Sequence, residues 1–200
     1  MIKIAITGPS GSGKSTLLTA LSNKGIPIID CDVIVHEIQQ PGEECYYKTI
    51  ETFGTDILNE DKTINRKVLA RIVFSKKNNT VKLNSITHGF VLKRIEQLSH
   101  FYSANGSAAV LIEAGALFES GLDKKCDKIV LLTANEHLLV DRICKRDHID
   151  KDNAVLRLKA QMDIDYVKAR SNLVLFNDGD IQILDYYCDL LLRKIKEWEL

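Results

Sequence analysis

The stretch GPSGSGKST, Gly8 to Thr16, follows directly on the apolar run IKIAIT. Gly8, Gly13, Lys14 and Ser15 satisfy the spacing GxxxxGK[ST], with a strand-like run before the loop and a helix-like run after it. The composition has a physical reason. Several backbone N–H groups must converge on phosphate oxygens, and a Cβ at the tight positions would obstruct their approach. A helix starting near Lys14 would aim its positive dipole end at the same anion. On this pattern Lys14 reaches the β- and γ-phosphates of a nucleotide and the Ser15 hydroxyl ligates Mg²⁺. A Gly/Ser-rich turn that binds nothing would not need the whole pattern in this context, so the loop reads as a nucleotide-phosphate cradle.

Two carboxylates and several arginines could act on what the loop holds. Asp30 and Asp32 end the run IPIID-CD; if the chain is still extended there, both lie on one face with Cys31 on the other. A carboxylate at the C-terminal end of a strand could accept a hydroxyl proton, orient the hydroxyl or hold Mg²⁺ through water. The plainer role for an Asp there is a helix cap. Arg142 and Arg146 stand at i and i+4 on one helix face, ahead of the polar segment KRDHIDKDN. Arginines on a closing lid could neutralise charge on a transferred phosphoryl group and exclude water, whereas most such pairs only make surface ion pairs. Arg66, Arg157, Arg170, His88 and the pair Glu113/Glu119 are weaker candidates. Basic residues on helices are mostly solvated, and a lone histidine is more often structural.

Strand-like and helical segments alternate along the chain: IKIAIT (2–7), IPIID (26–30), AAVLIE (108–113), KIVLLT (128–133) and LVLFN (173–177) are the strand candidates. This alternation predicts an α/β fold with a five-stranded parallel sheet covered by helices on both sides. Residues 36–105 hold no convincing strand and are expected to form a mostly helical insertion. One helix is expected through AVLRLKAQMDIDYVKA and an amphipathic helix at the end of the chain. The 200 residues are compatible with one domain carrying such inserts. Lys+Arg and Asp+Glu both total 27, so the net charge is zero, which argues against a chain built to coat nucleic acid or anionic membrane. No run has the length of a membrane span and none reads as a signal peptide. The five scattered cysteines, with no CxxC pair, read as free thiols of a reducing cytoplasm. A GTPase would carry an Asn-Lys-x-Asp motif after a later strand, and LLTANEHLL offers none.

Together these segments resemble the dephospho-coenzyme A kinase family over nearly the full length. The blocks are ITGPSGSGKST, GIPIIDCDVIVHE, FGTDILNEDKTINRKVLARIVF, ITHG, ALFESGL, RICKRD, LKAQM and VLFNDGD, in family order and spacing. The resemblance implies a P-loop kinase core with a five-stranded parallel sheet, a helical acceptor subdomain at about 36–105 and a lid at about 142–161. It also implies ATP and Mg²⁺ as the nucleotide and metal, with dephospho-CoA as acceptor and no nucleic-acid or membrane partner. A cytoplasmic monomer is expected. Gly11, Ser12, Gly13, Lys14, Ser15 and Thr16 match the ATP-phosphate loop. Asp32 matches the family's catalytic base and Asp30 its companion. Arg66 falls in the acceptor subdomain, Arg142 and Arg146 in the lid, and Gln161 and Asn177 at later motif positions; His88 and Glu119 lie in the acceptor-side blocks. The chain departs from the family at His88-Gly89, Asp61-Lys62, Gly115-Ala116-Leu117 and Ser171-Asn172, largely in those same blocks. Other readings are a P-loop kinase for another small hydroxyl or nucleotide acceptor, of the cytidylate kinase kind, and a nucleotide-binding regulator without transfer activity.

Overall fold

The computed structural model describes residues 1–179 and 181–199. Five strands form one sheet: β1 (Ile2–Thr7), β2 (Ile28–Asp30), β3 (Ala109–Glu113), β4 (Lys128–Thr133) and β5 (Leu173–Phe176), in the order β2-β3-β1-β4-β5. β1 lies in the middle, parallel to β3 on one side (Ile2 opposite Ala109) and to β4 on the other (Ile4 opposite Lys128); β4 and β5 are parallel as well. Every residue from Ile4 to Thr7 is buried, which is why the run carries no polar alternation.

The helices are α1 (Lys14–Asn23), α2 (Cys31–Ile38), α3 (Glu44–Phe53), α4 (Arg66–Ser75), α5 (Lys77–Ala104), α6 (Glu136–Asp147), α7 (Lys151–Lys159), α8 (Ile164–Arg170) and α9 (Ile181–Trp198). Leu17, Leu18 and Leu21 of α1 and Leu184, Cys188, Leu191 and Ile195 of α9 pack with Ile4, Ile6, Leu111, Val130, Leu132 and Leu175 of the sheet. Each of the large aliphatic side chains contributes about 1.5–3 kcal/mol when fully buried, so this layer fixes where the strand ends, and hence the loops, stand. The apolar stripe of α9 is the amphipathic pattern expected of the end of the chain.

The chain divides into two compact units, Met1–Ile29 with Phe101–Leu200, and Asp30–His100. The first contains most of the sheet. The second is helical and has its own small core of Tyr46, Ile57, Ile64, Leu69 and Val73; its only bridge among the described residues joins Leu58 to Ile64. The Tyr46 hydroxyl donates to Lys62 O at 2.6 Å, and Lys62 has φ 65°, so the turn at Asp61-Lys62 is held from below by a tyrosine.

One expectation about the helices changes. The stretch 154–169 is not one helix: α7 ends at Lys159 and α8 starts afresh at Ile164, because the Asp163 carboxylate accepts from Asp165 N (2.8 Å) and Tyr166 N (3.1 Å) and caps a new helix. The five cysteines are free, as their scatter implies, and burial pushes the Cys126 thiol up to about 12, so it stays protonated and inert. Among the described residues no helix is long and apolar enough to cross a membrane.

Candidate active site

The phosphate loop turns between β1 and α1. Gly8 has φ 150°, and a Cβ on it would collide with Leu132 O of β4. Gly13 is the N-cap of α1 in the left-handed region, φ 96°, and a Cβ there would lie 2.6 Å from Asn177 Nδ2. At these two positions the absence of a side chain is therefore demanded by the protein's own packing as well as by a phosphate. α1 starts at Lys14, which leaves the N–H groups of its first turn without intrahelical acceptors and facing the loop's concavity. Lys14 Nζ is half-buried and donates to Gly8 O (2.7 Å) and Pro9 O (3.2 Å), which holds the ammonium across the mouth of the loop. Ser15 and Thr16 are exposed on the first turn, so the Ser15 hydroxyl is open to a ligand.

Three elements brace the loop from outside. From α6, Arg142 donates to Gly11 O and to Gly179 O, both at 3.4 Å, and Arg146 donates to Ser10 Oγ at 2.9 Å. Just beyond α7, Gln161 Oε1 accepts from Ser10 N at 3.1 Å. From the end of β5, the buried Asn177 donates to Ser12 O at 2.8 Å, and its own N–H bonds Thr133 O at 2.7 Å. The Ser12 hydroxyl is fully buried and has no hydrogen-bond partner among the described residues. The two arginines thus do face one side of their helix, as their spacing implies, and that side is the loop. Gln161 and Asn177, which stood out only as motif positions, are loop supports. The last residue of the VLFNDGD block, Asp180, lies outside the described residues.

The geometry also supplies a residue that sequence reasoning passed over. Asp147, next to Arg146, takes a bidentate grip on its guanidinium, Nε to Oδ1 at 2.8 Å and Nη2 to Oδ2 at 2.9 Å, while Arg157 Nη1 donates to Oδ2 at 2.5 Å. The only sequence signal for it is the RD dipeptide closing α6. Hydrogen bonding to Arg146 first, then the charges of Arg146 and Arg157, hold the Asp147 carboxyl below the usual carboxylate range. The depressed value means the latch contributes to stability above the ordinary Asp value of about 3.9 and is lost only as pH falls through a lower one. We expect the Asp147 carboxyl ¹³C resonance to titrate with a midpoint below that of Asp in a flexible peptide; a midpoint at or above it would show that the two arginines do not hold the carboxylate in solution.

In the helical unit, strand β2 stops at Asp30 and α2 begins at Cys31, so Asp30 and Asp32 do not alternate along one strand face. This corrects the extended reading. Asp30 is the N-cap of α2: its Oδ1 accepts from Asp32 N (2.8 Å) and Val33 N (3.2 Å). Asp32 occupies the first turn of α2. Arg66 opens α4, behind an Asn65 cap that accepts from Val68 N at 3.1 Å. Burial lowers the Arg66 guanidinium below its ordinary range and the charge of Asp32 works against that shift, so these two residues feel one another. His88 lies on α5, and no hydrogen bond or ion pair joins it to Asp32 or Arg66 among the described residues. Glu119 is exposed on the connection from β3 to β4, at the wall of a cavity of about 780 Å³ that also touches Gly8 and Pro9.

Comparison with known proteins places this geometry. The family described as Dephospho-CoA kinase matches residues 2–182. A dephospho-CoA kinase of Lactobacillus johnsonii is 38% identical over 96% of this chain and 97% of its own, and one of Bacillus anthracis is 31% identical over 96% of each. Among solved structures, TT1252 from Thermus thermophilus superposes with a TM-score of 0.80 at 27% identity, covering 96% of this chain and 97% of that one. The dephospho-CoA kinase from Campylobacter jejuni gives 0.73 at 25% identity, covering 99% and 98%. A shikimate kinase from Acinetobacter baumannii shares the fold, with a TM-score of 0.56 at 19% identity over 98% of this chain and 94% of that one. Neither a cytidylate-type kinase nor an inactive regulator is favoured by these matches. With a phosphate loop braced at Ser10, Gly11 and Ser12 and a family match across nine-tenths of its length, the chain belongs to the dephospho-CoA kinase family.

Proposed function

We propose that this protein transfers the γ-phosphoryl group of ATP to the ribose 3′-hydroxyl of dephospho-CoA, giving coenzyme A and ADP. The observation that carries the reading is the loop itself, preorganised by contacts from α6, the end of α7 and β5. Preorganised donors need no rearrangement as charge develops on the transferred group, and this is where most of the rate acceleration of phosphoryl transfer comes from.

Each residue then has a task. The backbone N–H groups of Gly11 to Thr16 hold the phosphates. Lys14 exchanges its loop carbonyls for the β- and γ-phosphate oxygens. Arg142 and Arg146 stand beside the loop to neutralise charge on the migrating group. Asp32 orients the 3′-hydroxyl and receives its proton as the new O–P bond forms and the bond to ADP breaks; Asp30 fixes the helical turn on which Asp32 stands. Arg66, His88 and Glu119 are assigned to the acceptor.

The donors present fit Mg²⁺. Among the described residues no three His, Cys, Asp or Glu side chains surround one point, so a dication would be held by phosphate oxygens, the Ser15 hydroxyl and water, the arrangement this ion favours. When bound it would spread the charge of the triphosphate. The helical unit serves as the acceptor subdomain and residues 142–161 as the lid of a cytoplasmic, monomeric enzyme.

The test measures ADP release by the wild-type protein with ATP alone, with dephospho-CoA and with CMP. Dephospho-CoA is expected to be the preferred acceptor by a wide margin. CMP as the better acceptor, or ADP release indifferent to any acceptor, would sink the reading.

A further inference from the structure

The charged cluster of Arg146, Asp147 and Arg157 is more elaborate than a joint between two helices requires. α6 and α7 already hold one another through apolar contacts: Val140 and Ile143 of α6 are buried in one cluster with Ala154 of α7, and Val155 and Leu158 pack against it. α7 also has its own start, since the Asp150 carboxylate accepts from Asn153 N at 2.8 Å. An ordinary exposed ion pair would add little to that joint. Instead, a carboxylate whose side chain is 22% exposed sits between guanidinium groups at 54% and 51%.

The grip leaves one end of Arg146 free. A guanidinium carries five N–H groups. On Arg146, Nε donates to Asp147 Oδ1 at 2.8 Å and Nη2 to Oδ2 at 2.9 Å, while Nη2 also donates to Ser10 Oγ at 2.9 Å. Among the described residues nothing pairs with Nη1. Residues one apart on a helix do not normally face each other. Here the two meet in the last turn of α6, which His148 ends in the left-handed conformation, φ 54°. We propose that Asp147 and Arg157 are positioning residues for phosphoryl transfer: Asp147 turns Arg146 so that its Nη1 end is the one offered to the transferred group, and Arg157 restores the charge that the carboxylate cancels. The proposal rests on the task given above to Arg146.

Orientation and charge both favour aiming over mere fastening. The side chain of Arg146 is long and half-exposed, and without Asp147 only the Ser10 contact would hold it at the loop. A bidentate carboxylate fixes the plane of the guanidinium, and a donor fixed in advance needs no reordering as charge develops. Yet Arg146 and Asp147 alone form a neutral pair, which would present an oriented donor with little net field. Arg157 brings the cluster back to one net positive charge. It does so through a single nitrogen, Nη1 to Asp147 Oδ2, so its charge matters more than its forked shape. Asp147 uses both oxygens on Arg146, so a carboxylate is needed there.

The experiment uses the full chain with Asp147→Asn, Arg157→Gln and Arg157→Lys, and repeats Asp147→Asn in an Arg146→Ala background. For each, kcat with ATP and dephospho-CoA, the Kd of a non-hydrolysable ATP analogue and the thermal midpoint are measured. Asp147→Asn is expected to lower kcat about ten- to a hundredfold, the scale of a misplaced catalytic group, with the analogue Kd within roughly threefold of wild type. Arg157→Gln should lower kcat about tenfold, and Arg157→Lys should recover most of that loss. In the Arg146→Ala background, Asp147→Asn should cost no more than about twofold in kcat, because the group it aims is gone. An equal loss in both backgrounds would make the network a fastening only and overturn the proposal. Unchanged kcat in Asp147→Asn and Arg157→Gln would overturn it as well, as would a weakened analogue Kd with kcat retained. Arg157→Lys no better than Arg157→Gln would overturn the part given to Arg157. Because Arg157 is half-exposed, its two variants decide the matter even if Asp147→Asn does not fold. Wild-type protein that fails to turn over dephospho-CoA would bring down the functional reading and this assignment with it, whereas an active wild type with unaffected variants overturns this assignment alone.

Discussion

Lys14→Ala is expected to show no measurable phosphoryl transfer and a markedly weakened affinity for Mg-ATP. Lys14 supplies the only charged side chain within Gly8–Thr16, and its ammonium already spans the mouth of the loop through Gly8 O and Pro9 O. Replacing neutral carbonyls by phosphate oxygens turns these contacts into charge-assisted ones, each worth about 1.5–3 kcal/mol. That alone implies a loss of about ten- to a hundredfold in affinity. The transition state carries more charge on the oxygens that Lys14 meets, so kcat falls by a further factor, of order 10²–10³ for one lost donor in such a site. Calorimetric titration with Mg-ATP and a coupled ADP assay read the two effects separately. A Lys14→Ala protein that keeps wild-type turnover would overturn the assignment of the loop.

Asp32→Asn separates binding from chemistry. The substitution keeps shape but removes charge and basicity, and general-base contributions are typically about 10²–10⁴-fold in kcat. The lower end is expected, because the transition state of phosphoryl transfer is loose and little proton abstraction is needed before the bond to ADP breaks. Mg-ATP affinity should be almost unchanged, since the loop and Lys14 hold the triphosphate. Asp30 is the informative comparison. Its carboxylate is engaged by Asp32 N and Val33 N, and asparagine caps helices about as well as aspartate, so Asp30→Asn should keep the turn and cost less activity. A larger loss of kcat from Asp30→Asn than from Asp32→Asn would reverse the two roles. Collapse of Mg-ATP binding in Asp32→Asn would make Asp32 part of the metal site and not the base.

The phosphate loop was legible because its constraints are local: Gly8, Gly13, Lys14 and Ser15 carry them within nine residues, and the flanking runs announce strand and helix. The strands were legible because a parallel sheet buries both faces, which leaves uninterrupted apolar runs such as KIVLLT. Asp30 and Asp32 were not, since period-2 alternation presupposes that the strand continues, and Asp30 is the residue that ends it by capping the next helix. The break between α7 and α8 was hidden in the same way: Asp163 sits in an otherwise continuous helical pattern and restarts it. Supports reaching the loop from far along the chain, Gln161 to Ser10 and Asn177 to Ser12, carry no local pattern at all. Asp147 was invisible for a related reason, because its importance lies in gripping two arginines at once and not in its own position on α6.

The central place of β1 has a consequence for the order of events during synthesis. β1 is made before the other four strands, yet its neighbours in the sheet begin at Ala109 and Lys128, roughly a hundred residues further along the chain. Until those strands emerge, both edges of IKIAIT are unpaired. The helical unit, whose small core runs from Tyr46 to Val73 with Leu83 packed against it, lies wholly ahead of Ala109 in the chain. The phosphate loop is made early but gains its Asn177 support only once that residue has been made, 165 residues after Ser12.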